Sequence, residues 1–254
     1  MTANQQTDRE VLKADHTREA IRARLAAANN HSYLRDFVFG GIDGAVTTFA
    51  VVSGVAGADL STGVVIVLGV ANLVGDGFSM AAGNYLASRA DLQLLEHARQ
   101  TEETHIEKYP EGEREEVRQI MAAKGFDGRD LEHIVRTITA DKTLWVNTML
   151  QEELGLSLDR PDPVRAALVT FAAFNLIGFL PLAAFIADYL TPGLVLHPFR
   201  WSTLLTGIAF FSVGAVKSRF ISEKWYRSGT ETLLVGSMAA AIAYAVGWLL
   251  SDLA

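Results

Sequence analysis

Residues 63–87 read GVVIVLGVANLVGDGFSMAAGNYLA, an apolar stretch of 25 residues whose single charge is Asp76. A helix needs about 20 mostly apolar residues to cross a bilayer, so this stretch is long enough to span. Immediately before it, residues 37–58 read FVFGGIDGAVTTFAVVSGVAGA, with Asp43 as their one charge. Only Gly57–Thr62 separates the two, which predicts an antiparallel helical hairpin. Three more apolar stretches follow downstream: Val164–Leu190 with Pro181 inside it, the shorter Trp201–Val216, and Thr230–Leu250. The alternative is a large soluble core, but five such stretches in 254 residues leave too little polar sequence to cover them. The expected fold is an all-α membrane protein with five transmembrane helices.

Charge sets the expected orientation. Of the 22 Lys and Arg residues, all but Arg200 fall before the first span, between the second and third, or at the adjoining ends of spans three to five. Positive charge marks the cytoplasmic side, so the N-terminus and residues 88–163 are expected inside and the C-terminus outside. The first 30 residues lack the apolar core of a cleavable signal peptide. Thr17–Asn29 reads as a short amphipathic helix on the membrane surface, and residues 1–14 read equally well as a solvated tail. The expected organisation is a cytoplasmic N-terminal segment (1–36), spans one and two (37–87), an acidic helical insertion (88–163) and spans three to five (164–254).

The insertion differs from its surroundings. It carries 17 Asp and Glu against 10 Lys and Arg, a balance of −7 that equals the charge of the whole chain. A basic nucleic-acid footprint is therefore missing. Three helical stretches are expected: a continuation of span two as far as Tyr109, Glu113–Lys124 closed by Gly125, and Asp130–Gly155. Within them Glu102 and His105, Glu113 and Glu116, and Met149 with Glu152 or Glu153 stand one turn apart and share helix faces. Packed together, such pairs form a cage of carboxylates with one imidazole and one thioether, donors that suit divalent transition metals. The same acids also read as solvated faces. With no cysteine in the chain, thiolate sites and disulfides are excluded.

Glu102-x-x-His105 also has the spacing of di-iron carboxylate bundles, which need a second copy. The nearest is Asp130-x-x-His133. A membrane-anchored di-iron oxidase or metal-binding protein is thus an alternative, and a passive channel is another.

Within the spans, Asn72, Asp76, Met80 and Asn84 recur every fourth residue along span two, and Asp43 lies among Gly40, Gly41 and Gly44 in span one. Ionisable residues at such depth are costly and usually face a pathway or a partner. A polar stripe suits a cation moving from site to site, although glue between helices, with Met80 as ordinary packing, reads from the same residues. A carboxylate in a low-dielectric channel exchanges protons for bound cations, and Asp43 is the first candidate for that role. Asp36 and Lys217, near the ends of their spans, are candidates for a gate or an ion pair. Gly40-x-x-x-Gly44 admits a second helix at close range.

FGGIDGAVTTFAVVSG (39–54), GDGFSMAAGNYLASRA (75–90) and KGFDGRDLEHIVRTITADKTLWVNTMLQEELGL (124–156) resemble the vacuolar iron transporter family, and the resemblance runs from about Arg35 to the C-terminus. It implies a homodimer of five-span subunits, with the ion path on the dimer axis, and Fe2+/H+ antiport with Mn2+, Co2+ and Zn2+ as companions. The metal is cargo; no prosthetic group and no enzymatic step are implied. The family's membrane site falls on Asp43 and Met80, and its cytoplasmic site on Glu102, Glu113, Glu116, Met149 and Glu153, with Glu152 beside it. At His105 the family usually has glutamate, which leaves affinity and metal preference open. Gly75 stands where another small residue is usual. Arginine outnumbers lysine 16 to 6, which suggests a GC-rich genome and a bacterial inner membrane; a eukaryotic copy would face a vacuole or another organelle.

Overall fold

The computed structural model describes residues 12–28, 32–219 and 223–253. Among them there is helix and no strand. The chain divides into two compact units, residues 33–89 with 162–254, and residues 90–161 with the described part of the N-terminal segment.

The apolar unit contains α2 (Leu34–Gly57), the first part of α3 (Thr62–Lys108), α7 (Pro163–Gly178), α8 (Leu180–Leu190), α9 (Pro198–Lys217) and α10 (Trp225–Leu249). Four helices (α2, α3, α9 and α10) are long and apolar enough to cross a membrane, and the bent pair α7–α8 makes a fifth if it is counted as one span. The single helix expected over Val164–Leu190 is therefore two helices, with a 53° bend between them. Pro181 explains the break: it has no N–H for the helical ladder, and its ring crowds the preceding turn. The carbonyl of Pro181 accepts from Ser202 Oγ on α9 at 2.6 Å.

Helix α2 lies at the centre. Of its most apolar stretch 56% is buried, against 17% for α10. Ala45, Phe49, Val52 and Val55 from α2 meet Val65 and Leu73 of α3, Phe174 of α7, Leu182 and Phe185 of α8, Phe210 of α9 and Ala240 of α10. Glycine permits the approach of α7: a Cβ on Gly40 would lie 2.6 Å from the Thr170 carbonyl oxygen, and one on Gly44 would collide with the carbonyl of Phe174. The Gly40–Gly44 pair thus receives α7, as small-residue spacing allows. Outward-facing positions remain apolar, among them Val67, Val70, Val74 and Phe78 on α3 and Leu234, Met238 and Ile242 on α10. Large apolar faces of this kind belong against lipid or another membrane helix.

The acidic unit contains α1 (Arg18–Ala28), the last part of α3, α4 (Pro110–Ala123), α5 (Gly128–Thr139) and α6 (Lys142–Glu152). Helix α3 runs through Lys108 without interruption, 47 residues in all. Gly125, at φ +95°, follows α4 in the left-handed conformation that glycine adopts without strain. The expected single helix Asp130–Gly155 is two helices. Asp141 accepts from Leu144 N at 2.9 Å and so starts α6 as its N-cap. The core is formed by Leu95, Ala98 and Ile106 of α3, Val117 and Met121 of α4, Val135 and Ile138 of α5, and Trp145, Val146, Met149 and Leu150 of α6. The tail expected over residues 1–14 falls largely outside the described residues.

Candidate metal site

The stripe of α3 that enters the acidic unit's core runs Leu95, Ala98, Glu102, Ile106, a helical repeat in which one member is a carboxylate. The corresponding stripe of α4 runs Glu113, Val117, Met121, again beginning with a carboxylate. Tyr109 and Pro110 turn the chain between the helices, with Pro110 in the first turn of α4, where its missing N–H costs nothing. Both carboxylates are thus carried inward by the burial of their apolar neighbours. Glu102 is 4% exposed and Glu113 6%.

They converge with His105. Ligand atoms of Glu102, His105 and Glu113 lie within 4.8 Å of one another, which makes this the single such group among the described residues. His105 Nδ1 is 3.4 Å from Glu113 Oε1. The carboxylates of Glu102 and Glu113 lie close enough to act on each other electrostatically, and Oε2 of each is buried without a hydrogen-bond partner among the described residues. Buried oxygens without partners are uncommon and point to an absent proton donor or ion.

Electrostatics agree with the geometry. Burial, reinforced by the charges of Glu116 and then Glu102 and only partly offset by His105, pushes Glu113 up to about 7. Burial likewise raises Glu102, against the opposing effect of His105. Glu153 is raised by partial shelter of its carboxyl and by Glu116 and Glu102. These groups feel one another as a cluster, and a divalent cation relieves their repulsion.

Other candidates are placed differently. Glu152 is ion-paired with Lys124 Nζ at 2.6 Å, so its charge is already matched. Met149 is fully buried in the apolar core. His133 is exposed, with Nδ1 3.3 Å from an Arg136 guanidinium nitrogen. A cation at that ring nitrogen opposes metal there, and His133 does not join the cluster among the described residues.

In the apolar unit Asp43 is half-buried on α2 and Asp76 exposed on α3, near enough for their charges to repel. Met80 is partly buried against the apolar core. Asn72 Nδ2 donates to Thr47 Oγ1 at 3.3 Å and Thr48 Oγ1 at 3.2 Å. Asn84 Nδ2 donates to Asp36 Oδ1 at 2.9 Å and Thr170 Oγ1 at 2.7 Å. Two members of the polar stripe therefore tie helices together. Of the two residues considered for a gate or an ion pair, Lys217 Nζ binds Glu231 Oε2 at 3.0 Å and Asp36 accepts from Asn84. Glu231 lies nearly two turns into α10. Sequence reasoning missed Thr47, Thr48 and Thr170. Their hydroxyls sit in apolar spans, and their position there was the available signal.

The chain matches the VIT family over residues 34–248. It is 35% identical to a protein of Toxoplasma gondii named vacuolar iron transporter, over 98% of this chain and 86% of that protein. It is 31% identical to proteins of the same name from Plasmodium berghei, over 88% of this chain and 85% of that one, and from Arabidopsis thaliana (vacuolar iron transporter 1), over 83% of each. These relatives are eukaryotic, which runs against the bacterial inner membrane inferred from arginine usage. An arginine excess reflects genome base composition and carries no information about which membrane holds the protein.

Proposed function

The chain belongs to the vacuolar iron transporter family, and from that membership we propose that it carries divalent transition metal, Fe2+ first, out of the cytosol in exchange for protons. Mn2+, Co2+ and Zn2+ are companion cargoes in this reading. The acidic unit lies in the cytosol and captures the ion. The observation that carries this reading is the convergence of Glu102, His105 and Glu113 with two buried carboxylate oxygens left unpartnered among the described residues. Glu116 and Glu153 add charge around that site, and the thioether of Met149 is assigned to it on the family resemblance alone.

In the membrane, Asp43 holds a proton or a metal ion but not both, with Met80 as a soft donor and Asp76 as the neighbouring charge. Metal arriving from the cytosol displaces the proton; a proton arriving from the far side displaces the metal. Asn72, Asn84 and Asp36 hold the helices that frame this path, and the Lys217–Glu231 pair fixes α9 against α10. Asp76 is exposed in the single chain. A charge on a lipid-facing surface is costly, which favours a homodimer in which a second copy shelters it.

The test is metal flux in proteoliposomes at two imposed pH gradients. Fe2+ uptake is expected to follow the proton gradient, and Asp43→Ala is expected to abolish it while the protein remains folded and monodisperse. Normal transport by that variant removes Asp43 from the mechanism; flux indifferent to the gradient replaces antiport with a passive channel.

A further inference from the structure

Three properties of the Glu102–His105–Glu113 cluster bear on which ion it accepts. The two carboxylates are buried, but the His105 side chain is 56% exposed. His105 also lines a shallow surface depression of about 280 Å³ on α3, together with His97, Gln100, Thr101 and Thr104. The imidazole is thus the member of the cluster that faces solvent, while both carboxylates lie behind it in the packed unit. Finally, Nδ1 of the ring is the atom turned toward Glu113 Oε1. In the tautomer that carries its proton on Nε2, the ring offers a lone pair on Nδ1 toward Glu113.

Carboxylates by themselves make a hard site. They take Mg2+, Ca2+ and Mn2+ readily, whereas imidazole suits Fe2+, Co2+, Ni2+ and Zn2+. We infer that His105 is a specificity residue: as a nitrogen ligand at the mouth of the capture site, it biases that site toward borderline ions such as Zn2+, Co2+ and Fe2+ and against Mn2+ and Mg2+. This rests on the capture reading above and narrows it. The bland account is that a protonated His105 is merely a counter-charge for Glu113. That account predicts no bond from the ring to the metal and no change in preference when the charge is altered.

The experiment uses the full-length protein in detergent at pH 7.5, with Asp43→Ala in every chain so that the membrane site does not enter the titration. Zn2+, Co2+, Mn2+ and Mg2+ are titrated separately by calorimetry. His105→Glu is expected to cut the Zn2+-over-Mn2+ affinity ratio by about tenfold or more, by weakening Zn2+ and strengthening Mn2+. In protein carrying 15N-histidine, Zn2+ is expected to shift one ring-nitrogen signal that is missing from His105→Glu. An unchanged ratio in that variant, or no shifted signal in the parent, overturns the inference while the capture site stands. The double variant Glu102→Gln/Glu113→Gln is expected to lose binding of every ion. If it still binds as the parent does, the capture site is misplaced and the inference falls with it.

Discussion

Replacing Glu113 with glutamine is expected to stabilise the metal-free acidic unit, the reverse of the usual result for a buried side chain. Glu113 sits at about 7 instead of the ordinary 4.5, chiefly because it is buried and because Glu116 and Glu102 repel it. Its side chain is only 7% exposed, so solvent screens little of this. Ionising such a carboxyl within the fold costs about 3 kcal/mol at pH 8, an upper bound because neighbouring acids share the repulsion. The sign follows from the raised value. Protonation favours the fold, so the contribution is present in full below 4.5 and is lost as pH rises through about 7. Glu113→Gln stays neutral and escapes that loss. Hydrogen–deuterium exchange of residues 113–121 in the full-length protein, corrected for the intrinsic rate, reads the local opening free energy. Parent protection is expected to decline between pH 5.5 and 8. The variant is expected to stay level and to exceed the parent by about 1–3 kcal/mol at pH 8. Saturating Zn2+ should reverse the order, because it stabilises only the chain that binds it. A level parent profile, or a variant less protected than the parent at pH 8, refutes the reasoning.

Three further outcomes follow from the packing and pairing. Gly44→Ala places a Cβ against the Phe174 carbonyl and 2.8 Å from Phe174 Cα; it should cost about 1–3 kcal/mol and lower the thermal midpoint in detergent. Gly75→Ala, with nothing within 4 Å of the added atom, should leave the midpoint unchanged. Asn84→Leu removes the donor to Asp36 and Thr170 and should cost about 1–3 kcal/mol, measured by the same melting assay; an unchanged midpoint would show that those bonds do not hold α3 to α2 and α7. Glu152→Gln should leave Zn2+ affinity within about twofold, because an exposed pair with Lys124 contributes little, while Glu153→Gln should weaken binding. Calorimetry showing the opposite order would exchange the roles of the two glutamates.

Much of the architecture was legible before any coordinates. The apolar stretches exceed what a soluble chain of this size can cover, and helix α3 carries no breaker between Leu86 and Lys108. Gly125 marked the end of α4. The inward placement of Glu113 was also there to be read, since it shares a helical repeat with Val117 and Met121. The N-cap signal at Asp141 was present but masked by the apolar periodicity on either side of it, so one helix was expected where there are two.

The amino-acid sequence by itself determined the elements and which residues share a helix face, because hydrophobic periodicity and capping act over one or two turns of a single backbone. Tertiary structure decided the partners. It joined Glu102, His105 and Glu113, gave Glu152 to Lys124 and Lys217 to Glu231, and broke the Val164–Leu190 stretch into two helices. Those choices depend on which helix faces are buried together. A long charged side chain has many carboxylates within reach along the chain, and packing alone selects among them.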